Sequence, residues 1–127
     1  MIVLDASVAI AFLNQNDAHH VAAIELLKRN PPQYLMHPLT LAEVLVGPAL
    51  LGIDSTVLRD LRSIGVEQVG AGPDEALQLA RLRATHRLKM PDTCVLATAQ
   101  HHAVPLATFD GRLAAVASAS GLLVGAL

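Results

Sequence analysis

Four acidic side chains stand where the surrounding residues are apolar. Asp5 ends the run Ile2-Val3-Leu4, and Asp110 ends Leu106-Ala107-Thr108-Phe109. Glu43 sits inside Leu39-Thr40-Leu41-Ala42-Glu43-Val44-Leu45-Val46, and Asp92 follows Pro91 ahead of Cys94-Val95-Leu96-Ala97. An acid in such a setting is rarely buried without a partner. No basic residue neighbours Asp5 or Glu43 in the chain. Two carboxylates about 4 Å apart repel by about 4 kcal/mol at an effective dielectric near ~20, so a cluster of them takes up protons or cations. All-oxygen donors favour Mg²⁺ or Mn²⁺ over zinc. Each acid also has a plainer reading taken alone. Asp92 suits a helix N-terminus, Glu43 suits a solvated helix position, and Asp5 and Asp110 suit turns.

The elements that would position these acids alternate between strand and helix. Ile2–Leu4 reads as a buried strand and Ala6–Leu13 as a helix. Asn16 or Asp17 caps a second helix to about Arg29, where Pro31-Pro32 breaks the chain. Tyr34–Met36 reads as a strand, and Pro38–Leu51 as a helix that Pro48 ends or kinks. A helix from Ser55 puts Leu58, Leu61 and Ile64 on one face and closes at Gly65, ahead of a strand over Val66–Val69. Gly72-Pro73-Asp74-Glu75 starts a helix running to about Leu88, and Pro91 starts another through about His102. Pro105–Asp110 reads as strand then turn, followed by a helix to about Ala117 and an edge strand over Leu122–Val124. This order implies one α/β domain over residues 1–127 with a mainly parallel sheet. In such sheets ligands bind beyond the carboxyl ends of the strands, which places Asp5 and Asp110 on one rim.

Four segments then carry a resemblance. Met-Ile-Val-Leu-Asp5-Ala-Ser7-Val, Leu-Ala-Glu43-Val-Leu, Met-Pro-Asp92-Thr-Cys-Val-Leu-Ala-Thr-Ala and Ala-Thr108-Phe-Asp110 resemble, in order, the four acidic motifs of the PIN domain. The length is similar to that of the toxin half of bacterial VapBC toxin–antitoxin pairs. The resemblance implies a three-layer α/β/α sandwich and a metal-dependent endoribonuclease, cutting RNA phosphodiester bonds with metal-activated water. It implies that Asp5, Glu43, Asp92 and Asp110 are the catalytic and metal-holding residues, with Mg²⁺ or Mn²⁺ as cofactor. It also implies an RNA substrate, a small VapB-type antitoxin that blocks the site, and a homodimer. Two departures are small: Thr93 stands where many relatives have alanine, and Gly111-Arg112-Leu113 follows Asp110 where an aromatic often closes the motif. Neither removes an acid.

Supporting roles attach to fewer residues. Ser7 bonds a carboxylate or a bound water, or else caps the following helix. Thr108, two residues before Asp110, faces the same side of a strand and orients a ligand, or is there for its β-branching. Lys89, Arg87 and Arg112 flank the acids and would meet RNA phosphates. Arg81 and Arg83 with them read equally as a solvated helix face. With only Phe12, Tyr34 and Phe109 as aromatics, base stacking has little support and specificity rests on RNA shape.

Composition bounds the alternatives. Apolar residues make up 53% and charged residues 16% of 127, which excludes a disordered chain. The formal net charge of −2 does not exclude an RNA partner. Once four acids are taken up by cations, basic residues outnumber those left. No apolar run reaches the ~20 residues of a membrane span, and Asp5 interrupts any leader, so the chain reads as cytoplasmic with no membrane partner. Cys94, the single cysteine, reads as a buried thiol. The pairs His19-His20 and His101-His102 lack zinc spacing, since adjacent helical residues point apart. His20 packs near the first helix, and His86 touches RNA. A phosphatase with an aspartyl nucleophile would want an acid at Ser7, a P-loop is missing, and a response regulator would want a lysine later than Lys89. The alternative from another class is a catalytically silent PIN-like module that binds RNA or protein.

Overall fold

Alternation along the short strands builds two cores back to back. Successive strand side chains point to opposite faces. In β1 (Ile2–Leu4) and β2 (Tyr34–Met36), Ile2, Leu4, Tyr34 and Met36 therefore enter one core while Val3 and Leu35 enter the other. All six are buried, as expected of a parallel sheet covered on both faces. The computed structural model describes residues 1–125; the last two positions of the expected 1–127 domain lie outside the described residues.

The first core packs α1 (Ala6–Leu13), α2 (His20–Arg29), α3 (Pro38–Leu50) and α4 (Asp54–Ser63) on one face, through Val8, Ala11, Ala23, Leu26, Leu41, Val44 and Leu61. On the other face, α6 (Met90–His102) and α7 (Gly111–Ala119) bury Val95, Leu96, Ala99, Leu113 and Ala117 against Val3, Leu35 and Leu106. Helix α5 (Glu75–His86) has no fully buried residue and packs on α6, with Leu82 touching the second core. The arrangement is the three-layer α/β/α sandwich with a parallel central sheet. Adding β3 (Val66–Gln68) and β4 (Leu106–Ala107), the strand order is β3-β2-β1-β4, every pair parallel. The edge strand β3 buries Val66 and exposes Glu67 and Gln68, a charged edge that discourages pairing with another chain.

The topology matters more to the site than the helices do. The chain lays β2 and β3 outward on one side of β1, then returns to place β4 on the other. The topological switch point lies between β1 and β4, whose registers are Val3 with Leu106 and Leu4 with Ala107. Asp5 and Asp110 leave that crevice at its carboxyl end.

Several boundaries differ from the sequence reading, each for a local reason. Helix α2 begins at His20, because the Asp17 carboxylate accepts the His19 N–H at 2.8 Å and closes a turn before the helix. Pro48 lies inside α3, which ends two residues later at Leu50. Helix α5 stops at His86, with Arg87 in the left-handed region (φ 55°). The segment over Leu122–Val124 makes one parallel bridge, Leu106 to Leu123, rather than a strand. Its backbone still bonds β4: Leu106 N–H donates to Leu122 O at 2.7 Å and Val124 N–H to Leu106 O at 2.9 Å. His20 packs against α1 as expected, with Nδ1 2.7 Å from the Ala11 carbonyl. Among the described residues no helix is long and apolar enough to cross a membrane.

Leu96 has no solvent exposure and anchors α6 to the sheet. Leu96→Ala should lower unfolding free energy by about 2–5 kcal/mol, read from urea denaturation. A loss under about 1 kcal/mol would show the second core to be loosely packed.

Candidate active site

Each of the four acids is presented by a different local device. Asp5 occupies the N-cap position of α1 but does not cap it: its side chain accepts no backbone N–H of the first turn. Instead Oδ2 accepts two hydroxyl hydrogen bonds, from Ser7 Oγ at 2.7 Å and Thr108 Oγ1 at 2.7 Å. Of the alternatives for Ser7, the carboxylate bond is the one the structure has. Both hydroxyls also accept from the β4–α7 turn: Phe109 N–H donates to Ser7 Oγ at 3.0 Å and Asp110 N–H to Thr108 Oγ1 at 2.9 Å. A closed set of four bonds thus ties the end of β1 to the end of β4. Asp5 is 7% exposed, and its second oxygen, Oδ1, accepts nothing among the described residues.

Asp110 does cap its helix, with Oδ1 accepting the Leu113 N–H at 2.9 Å. Its other oxygen is not used by the cap. Asp92 lies in the first turn of α6 after Pro91, where the helix dipole favours a negative charge. Thr93 points away from the acids: its Oγ1 donates to the Lys89 carbonyl at 2.9 Å and the residue is fully buried. Glu43 comes from the middle of α3 and, like Asp110, is exposed.

The acids feel one another. The Glu43 carboxyl is raised above its ordinary range by partial desolvation and then by the charges of Asp5 and Asp92. Asp92 is raised by desolvation and then by Asp110 and Asp5, while Lys89 and Arg112 pull it back. Among the described residues neither acid has an ion pair with a lysine or arginine within salt-bridge distance. Nor do three Asp, Glu, His or Cys side chains close around one ion by themselves. The arrangement is an open cluster of like charges.

Of the basic residues expected nearby, Lys89 and Arg112 do face Asp92. Arg112 is held by Arg87, whose carbonyl accepts from its Nη2 at 3.2 Å. Arg81 lines a separate hollow with Asp74, Leu77 and Gln78. Cys94 is fully buried, and burial followed by the Glu75 and Glu43 charges pushes its thiol up, the opposite of an activated nucleophile.

Two side-chain pairs escaped the sequence reading. His37 caps α3, its Nδ1 accepting the Leu39 N–H at 3.1 Å, and its Nε2 therefore carries the proton donated to Glu75 Oε1 at 2.6 Å. Burial pushes the Glu75 carboxyl up, but the bonds from Ala71 N–H and His37 and the nearby His37 and His101 rings bring it below its ordinary range. This pair fastens the start of α5 to the end of β2. The second pair is a stack of His19 on Phe109, with ring centroids 4.6 Å apart. No local signal could have found either, since the partners are far apart in the chain.

Comparison with known proteins agrees with this architecture. A chain of a toxin–antitoxin complex from Klebsiella pneumoniae is 27% identical, with a TM-score of 0.72 over 87% of each chain. VapC20 from Mycobacterium tuberculosis, a toxin described as cleaving the sarcin–ricin loop, has a TM-score of 0.77 at 21% identity over 97% of each chain. FitAcB from Neisseria gonorrhoeae has a TM-score of 0.66 at 23% identity, over 93% of this chain and 94% of that one. No curated protein sequence matches significantly. The family model for the PIN domain matches residues 2–119, a span that includes all four acids, both hydroxyls and the whole switch point: the chain belongs to the PIN domain family.

Proposed function

We propose that the protein is a Mg²⁺- or Mn²⁺-dependent endoribonuclease acting as the toxin of a toxin–antitoxin pair. The observation that carries this reading is the repulsion among Asp5, Glu43, Asp92 and Asp110 at the switch point, where among the described residues no lysine or arginine forms an ion pair with them. The donor set fits Mg²⁺. That ion keeps several waters and is commonly held by one or two carboxylates together with substrate phosphates, so an open cluster of acids suits it better than a closed cage. When bound, the ion would neutralise charge on the attacked phosphate and acidify a water.

The chain's own groups do the rest. Ser7 and Thr108 hold Asp5 in one orientation through Oδ2, and Oδ1 is the oxygen that would hold the ion. Asp110 and Asp92 offer the remaining oxygens. Glu43, with its raised pKa, is suited to take the proton of the attacking water. Attack forms a bond from the water oxygen to phosphorus and breaks the bond to the 3′-oxygen. The products are a 5′-phosphate and a 3′-hydroxyl. Lys89 and Arg112 would meet flanking phosphates, with Arg87 holding Arg112 in place.

An antitoxin would dock where the surface is apolar and leads to the acids. A groove of about 430 Å³ is lined by Ile10, Leu13, Val44, Pro48, Leu51 and Ile53, and it ends at Glu43. Leu51 is 76% exposed there, which is costly unless a partner covers it. The Klebsiella relative is itself part of a toxin–antitoxin complex, which supports this partner. Other exposed apolar residues, among them Leu39 and Val46 beyond Glu43, leave surface for a homodimer. A toxin acting on RNA beside its antitoxin would work in the cytoplasm.

Three measurements check this reading. Purified protein should cleave total RNA in Mg²⁺ or Mn²⁺, with 5′-phosphate ends, and lose cleavage in EDTA and in Asp5→Asn. Cyclic phosphate ends would reject hydrolysis by water. Metal-bound, folded protein that cuts no RNA would favour the silent binding module. Thr108→Val removes one hydroxyl bond from Asp5, and bonds to charged groups contribute about 1.5–3 kcal/mol. It should lower kcat about tenfold or more and leave KM little changed; a change in KM alone would assign Thr108 to substrate binding. In EDTA at pH 7, Glu43→Gln should raise Tm. The folded-state pKa of Glu43 lies above its unfolded value, so its favourable contribution is present below the ordinary carboxylate range and is lost as pH rises through the folded pKa. The gain should shrink on acidification and reverse when Mg²⁺ is added. A Tm below wild type at pH 7 in EDTA would contradict the repulsion.

A further inference from the structure

The β4–α7 turn that ends in Asp110 carries one member of an aromatic pair that the chemistry above leaves unused. His19 lies nearly flat over Phe109, with planes 11° apart and centroids at 4.6 Å, within the range of an offset stack. Phe109 stands between Thr108, which holds Asp5, and Asp110. Its own N–H donates to Ser7 Oγ, and its ring packs against the first core. His19 is the outer member, with a side chain 57% exposed. Its backbone is fixed on both sides: the N–H donates to Asp17 Oδ1 at 2.8 Å, and the carbonyl accepts Ala23 N–H at 2.9 Å in α2. The result is a positioned flat ring, open to solvent and stacked on the residue that joins Thr108 to Asp110.

The other aromatics are committed elsewhere. Tyr34 is buried, with its hydroxyl donating to the Leu27 carbonyl at 2.9 Å, and Phe12 packs on the first core. Asp17 Oδ1 lies 3.8 Å from His19 Nδ1. That carboxylate repels a phosphate at this spot and leaves a neutral, flat group as the better occupant.

We propose that His19 and Phe109 form a platform on which one unpaired nucleobase of the RNA stacks beside the phosphate to be cut. This rests on the ribonuclease reading and adds a determinant of where the strand lies. A base on the open face of His19 extends the stack to three rings. A base inside a duplex is already stacked on its neighbours, so the platform selects single-stranded or looped RNA. A purine, with more overlap, is held more tightly than a pyrimidine.

The test is fluorescence anisotropy in Ca²⁺, with a labelled oligoadenylate and an abasic ribose–phosphate chain of the same length. His19→Ala should bind oligoadenylate about tenfold more weakly and the abasic chain as well as wild type does. His19→Trp should restore oligoadenylate binding and His19→Gln should not. His19 is exposed, so these variants keep the wild-type melting temperature. Equal losses on both chains would overturn the platform. So would unchanged oligoadenylate binding in His19→Ala with RNA still cleaved by wild type, a result that leaves the ribonuclease reading standing. Wild-type protein that binds neither chain and cuts no RNA would overturn both.

Discussion

Carboxylates crowded at the end of a parallel sheet repel one another, and much of this molecule is arranged to hold them there. Asp5 leaves a strand whose three residues are all buried, so the backbone at the site has almost no freedom to relax. Its carboxylate is fixed by two hydroxyls that are themselves fixed by backbone donors of the β4–α7 turn. Charge-assisted bonds of this kind are about twice as strong as neutral ones. They hold the negative charge in one place and consume one oxygen, leaving the other available. Asp110 is arranged in a similar way, with one oxygen on its helix and the other not used by that cap.

The same arrangement explains why the acids come from four separated segments. A parallel sheet that reverses its strand order opens a crevice at the reversal, where the neighbouring connections leave on opposite faces. Here β1 and β4 border that crevice and contribute Asp5 and Asp110. Helices α3 and α6, which pack on opposite faces of the sheet, reach its rim with Glu43 and Asp92. Buried hydroxyls of Thr93 and Thr98 bond back to carbonyls one turn earlier, at Lys89 and Cys94, so α6 buries its middle without stranded donors.

Stability and function pull in opposite directions at this rim. Glu43 and Asp92 are displaced upward in pKa by desolvation and by one another's neighbours, and such groups weaken the fold when ionised. Exposed Leu50, Leu51 and Ile53 add a further load in water. Both features become favourable when the proposed ion and protein partner are present, since ligands that bind only the folded state stabilise it.

The four acids, the strand–helix alternation and the parallel sheet were legible in the sequence, because apolar runs broken by a single acid conflict with burial wherever they are read. Helix starts at Pro38 and near Pro91 were legible too, since proline at the first turn is a local matter of missing N–H groups. The start of α2 was not, because Asp17 spends its carboxylate on a turn. Nor was the final segment, where one bridge forms instead of a strand. The sequence by itself determined which groups carry charge and which elements form, as both follow from composition and short-range periodicity. Only the tertiary structure decided that Ser7 and Thr108, 101 residues apart, share one oxygen of Asp5, and that His19 lies on Phe109. Hydrogen bonds and ring stacking act over a few ångströms, and the strand order, not the chain order, brings those groups within reach.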